Sequence, residues 1–211
     1  MDTLSDRECW DIDTELSSLT FNLRHALLGH IHGEFSCWGG HVLIDPRASS
    51  PPSVHVWVDL SSLDTGSRKR DDAILDTELF DIQLQPALVF DGDRLEHKDD
   101  GRVVLIGWLG LNSLWKQISI DVTVSRPPGA NPAEFVATAQ AAIDRRAFGL
   151  RRQARAADWL SERFVDRTIE MTAQIVATLA ARAAVPSEAG ALNTFGSAPR
   201  VECSVSSHEL A

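Results

Sequence analysis

The sequence predicts a mostly β fold, a sandwich or barrel of roughly eight to ten strands with few helices. Two observations carry the prediction. Runs of alternating apolar and polar residues recur along the chain, separated by turn signals about every 8–12 residues. Their opposed faces suit an antiparallel sheet wrapped on one core. At 211 residues and 23.1 kDa, the chain is long enough for one domain with a real core and a tail.

Trp10 and Ile12 open the pattern, and Leu19, Phe21 and Leu23 follow at spacings of two. "ALLGH" breaks the period and could form one helical turn. In "IHGEFSCWGGHVLID", Gly39-Gly40 reads as a tight turn between two strands. "PPSVHVWVDL" is the clearest strand: Val54, Val56, Val58 and Leu60 point one way, and His55, Trp57 and Asp59 the other. "ALVFDGDRLEH" and "GRVVLIGWLGL" form a pair about "KDDG". "KQISIDVTVS" continues the alternation through Ile118, Ile120, Val122 and Val124. "AEFVATAQAAIDR" reads as a strand despite its alanines, "AADWLSERF" as a short helix and "VDRTIEMTAQIVA" as a last strand. Small residues, Pro and Ser then dominate, so residues 8–178 read as the domain and 179–211 as a flexible tail. No internal repeat is evident.

Thirty acidic residues against 20 basic give a net charge of −10, which argues against a nucleic-acid partner. No apolar run approaches the roughly 20 residues of an integral membrane helix. The acidic start "MDTLSDRECWDID" is unlike an export signal, so a cytoplasmic location is expected. Cys9, Cys37 and Cys203 are odd in number and far apart, and read as buried or free thiols.

Several stretches, in order, resemble the YceI-like domain family, also called polyisoprenoid-binding. They are "WDID…SSLTFNLRH", "HGEFSCWGGHVLID", "VDLSSLDTGSRKRDDAIL" with "LFDIQLQPALVF", "LIGWLGL" and "AQAAIDRRAFGL". The resemblance runs from about Trp10 to Ala177. It implies an extended, antiparallel, lipocalin-like β-barrel of about eight strands with one or two short helices. Such a barrel would hold an isoprenoid or similar long-chain lipid, a hydrophobic small-molecule partner, without a cofactor or catalytic group. Each buried methylene is worth about 0.8 kcal/mol. The chain departs from the family pattern at Leu16 and Ala73, where histidines are common, and at "GLNSLWKQ". Those departures would change the contact to a ligand head group.

On this reading Phe21, Leu23, Phe35, Val56, Val58, Leu88, Phe90, Leu105 and Leu109 form the apolar lining, and Ser17, Arg70, Asp71 and Arg145 a polar mouth. Periodicity does not decide between a hollow and a solid interior. Arg70-Asp71 is read first as a helix cap or salt bridge and second as a ligand contact. Ile143 to Arg146, with Phe148 and Gly149, reads as barrel closure, with Arg145 or Arg146 as a head-group contact in the other reading. His30 and His32, with Glu34, have the spacing of a metal pair, but spacing alone is weak evidence, and no metal is expected. Trp38, Trp57, Trp108 and Trp115 could line a tunnel, fill it or form a dimer surface. A solid barrel acting as a homodimerisation or interaction module is therefore the alternative function. An enzyme using Asp71 or Asp144 ranks last, so no catalysis is expected.

Overall fold

The computed structural model describes residues 7–47, 50–75, 86–99, 101–125, 131–150 and 164–180. The strands among them are β1 (Glu8–Ile12), β2 (Ser18–His25), β3 (Gly29–Phe35), β4 (Trp38–Ile44), β5 (Ser53–Asp59), β6 (Leu63–Asp64), β7 (Ala87–His97), β8 (Val103–Leu111), β9 (Leu114–Ser125), β10 (Glu134–Asp144) and β11 (Val165–Leu179). The helix α1 (Arg68–Ile74) follows β6, and 3₁₀ turns cover 60–62 and 145–148. The expected short helix in "AADWLSERF" and the tail beyond residue 180 lie outside the described residues.

Strands β1, β4, β5, β7, β8, β9, β10 and β11 form a closed antiparallel ring, sealed where Trp10 pairs Leu179 and Ile12 pairs Ala177. Of the sandwich and the barrel that the alternating pattern allows, the structure is the barrel, with the eight strands that the family resemblance implies. Strand β11 is also a branch point: its Val165–Gln174 stretch pairs β2, which continues through β3 to β6 as a side sheet. Ser17 marks the switch, since its hydroxyl donates to the Val176 carbonyl at 3.3 Å and accepts from the Val176 N–H at 2.9 Å.

Gly39-Gly40 does not form the expected turn; both lie inside β4, and the chain bends at Ser36-Cys37 instead. Close packing is the reason. A Cβ on Gly40 would sit 2.2 Å from the His55 carbonyl oxygen, and one on Gly39 would meet the Trp57 ring at 2.9 Å. The "ALLGH" stretch is a turn closed by Gly29 at φ +77°. There the buried His25 accepts from the Leu27 and Leu28 N–H groups through Nδ1.

Two apolar clusters result. The larger lines the inside of the barrel and includes Val58, Phe90, Leu109, Ile143 and Phe148. The smaller lies between the side sheet and α1, from Leu23, Ile31, Ile74 and Val165, with Leu63 and Ala73 against it.

Candidate ligand cavity

The barrel is hollow. Its lumen is a cavity of about 390 Å³ whose lining residues all carry apolar side chains. Alternate residues of five consecutive strands face it: Val54 to Val58 on β5, Leu88 and Phe90 on β7, Leu105 and Leu109 on β8, Ile118 to Val124 on β9, and Ala137 to Ile143 on β10. Several inward residues, including Val56, Ile120 and Met171, are only half-buried, because they face the void.

Alanine makes the hollow. Ala137, Ala139 and Ala141 on β10 point inward, and Ala139 pairs Ala173 on β11. This wall presents methyl groups where the opposite wall presents Val, Leu and Phe. An eight-stranded barrel is near the size at which side chains can fill the interior, so a stretch of small residues leaves space. Three alanines at period two inside a strand were the sequence signal for a cavity, and the expected lining residues did not include them.

The two ends differ. At one, Ile44, Pro52, Val103 and Val124 form the rim, and Val124 is 63% exposed although it lines the cavity. The other end is shut by buried Leu60, Leu111, Phe148 and Leu150. Arg145 fastens this floor. It is 4% exposed and donates from Nε to the Asp166 carbonyl at 2.7 Å, from Nη1 to Leu150 at 2.8 Å and from Nη2 to Val165 at 3.1 Å. Asp144 accepts from the Arg146 N–H and pairs Arg167 at 2.6 Å. The hydrogen bond from Arg167, foremost, holds the Asp144 carboxyl below its ordinary range.

Of the nine residues expected to line the lumen, Val56, Val58, Leu88, Phe90, Leu105 and Leu109 do so. Phe21 instead covers Gly33, Leu23 belongs to the smaller cluster, and Phe35 packs against the larger one beside Phe21. Ser17, Arg70, Asp71 and Arg145 are not among the lining residues. Arg70 and Asp71 both grip Thr65: Arg70 donates from Nε to the Thr65 hydroxyl at 2.7 Å and from Nη2 to its carbonyl. Asp71 accepts from the Thr65 N–H at 3.0 Å and from its hydroxyl. The charged knot thus anchors the strand-to-helix turn, with Gly66 at φ +76°.

His30 and His32 stack at 6.0 Å, with His30 hydrogen-bonded to Asn22. Among the described residues no group of three or more His, Cys, Asp or Glu side chains is arranged to hold a metal. On the outer wall a row runs Asp11, His41, His55, Asp91 across four strands, with His55 Nδ1 and Asp91 2.6 Å apart. Burial, then His55, lowers the His41 pKa, against the opposing pull of Asp11 and Asp91. Cys9 is a free thiol as expected, whereas Cys37 is disulfide-bonded, which corrects its reading as a thiol. Trp38 is core, Trp57 covers Gly39, and Trp108 and Trp115 are 46% and 42% exposed.

A closed antiparallel barrel around an apolar hollow, shut at one end, is a lipocalin-like architecture. The chain belongs to the YceI-like domain family, whose model matches residues 10–177. It is 28% identical over 133 residues to a UPF0312 protein of Vibrio parahaemolyticus, covering 60% of this chain and 70% of that one. Among solved structures, Burkholderia cenocepacia BcnA aligns with a TM-score of 0.69 at 20% identity, over 80% of this chain and 100% of that one. A polyisoprenoid-binding domain from Saccharophagus degradans aligns at 0.61 and 12% identity, over 81% and 98% of the two chains. At these identities the structural likeness is one of fold.

Proposed function

We propose that the protein binds an isoprenoid or similar long-chain lipid in the barrel lumen and sequesters or carries it without chemistry. The observation that carries this reading is the cavity of about 390 Å³ lined by apolar side chains alone. Such a lining offers no acid, base or nucleophile to a bound molecule, and it rewards burial of a hydrocarbon chain. The family, and the description of the Saccharophagus domain as polyisoprenoid-binding, point the same way. The ligand enters tail first past Val124, and its polar end stays at the rim.

Organic extraction of the purified full chain, followed by mass spectrometry, tests the proposal. A stoichiometric lipid, or exchange with added isoprenoid, is the expected result. Delipidated protein that takes up no hydrocarbon chain would refute it. A second reading, self-association, draws on exposed Leu114, Trp108 and Trp115. Sedimentation showing only monomer at micromolar concentration would remove it.

A further inference from the structure

The cavity has a length as well as a chemistry. It extends from Pro52, just before β5, to Val58, from Val103 to Leu109 along β8 and from Ile118 to Val124 along β9, six residue steps on each. Six steps span about 20 Å of strand. A tilt of about 40° reduces that to roughly 15 Å along the barrel axis. An extended carbon chain with ~1.5 Å bonds advances about 1.25 Å per bond, so about 12 bonds fit.

The floor cannot yield easily, because Phe148 and Leu150 are buried behind the lumen and Arg145 ties Leu150 to β11.

We infer that the lumen accepts a tail of about a dozen main-chain carbons, three isoprene units or a medium-length acyl chain, and that any longer chain leaves its remainder outside the rim. The inference rests on the lipid-binding reading and makes that reading specific. It separates this protein from a container that encloses a whole polyprenyl chain. The lumen measures the ligand by the distance from floor to rim, and the head group plays no part in setting that limit.

The test is titration of the delipidated full chain with straight-chain alcohols of increasing length, and with prenyl alcohols of two, three and four units. Intrinsic tryptophan emission provides a signal, since Trp10 lines the cavity. Affinity should rise on the order of fourfold per methylene up to the limit. It should then level off, and the fourth isoprene unit should add little. Affinity that keeps climbing well past that point would overturn the inference while leaving lipid binding intact. Failure of every chain length would overturn the lipid-binding reading, and the inference with it.

Two variants move the limit in opposite directions, so that one informative protein remains should the other not fold. Ala139→Leu should bring the plateau two or three carbons earlier, and Ile118→Ala should postpone it. A plateau unmoved in a folded variant would show that the lumen does not set the limit.

Discussion

The barrel lumen and the small cluster beneath the side sheet are both apolar, yet they are built for opposite ends. In the small cluster Ile31 is 2% exposed and packs with buried Leu23, Ile74 and Val165. In the lumen, inward residues such as Ile120 and Ala173 stay half-buried around a void. Folding alone would fill that void, since close packing is worth dispersion energy throughout a protein interior. The side sheet and α1 therefore supply stability that the lumen forgoes, and function occupies the region with the poorer packing.

Arg145 links the two regions, since it holds Leu150 of the lumen floor and Val165 of the small cluster. Arg145→Met should produce the largest loss. Three backbone carbonyls, two of them in buried hydrogen bonds, would lose a charged donor, which costs about 3–5 kcal/mol in urea unfolding. A loss under about 1 kcal/mol would show that the floor holds without it.

The contrast in packing can be measured by truncation. Ile31→Ala should cost about 3–4 kcal/mol, since it empties a filled site. Ile120→Ala should cost about 1 kcal/mol, because its side chain already borders a void. Equal costs would mean that the lumen is packed as tightly as the cluster. Additions should reverse the order. Ala139→Val should be neutral or stabilise by up to about 1 kcal/mol, while Ala73→Val should cost about 1–2 kcal/mol by overpacking. These four melts would locate the hollow without any ligand.

The sequence made the barrel legible because strand alternation records which face is buried, and β5 reads correctly from Val54 to Asp59. Gly39-Gly40 misled because glycine serves both turns and close approaches, and the Trp57 ring that needs the space lies on a neighbouring strand. Phe21 and Leu23 share the buried face of β2, as their spacing of two predicts, but β2 lies outside the ring, paired to β11 at the branch. No local pattern records a branch. Likewise Arg70, Asp71 and Arg145 carry the right chemistry for a head group, yet nearby backbone carbonyls and Thr65 take up their hydrogen bonds. Spacing identifies a donor but not its acceptor.

The smallest expected effect lies on the outer wall, where His41 and His55 sit with ring centroids 5.5 Å apart. Burial and His55 lower the His41 pKa, so the unfolded chain binds a proton at a pH where the folded chain does not. The sign follows: stability is full above the ordinary histidine range and falls as pH drops through it toward the lower folded value. His41→Gln should flatten the decline in melting temperature between about pH 7 and pH 5 and change little above it. Asp11 on one side and Asp91 on the other oppose the shift, so Asp91→Asn should steepen the same decline. A variant pair with identical pH profiles would show that the row of histidines is not coupled to folding. Because the row faces outward while the cavity is apolar, ligand affinity in both variants should remain independent of pH over the same range.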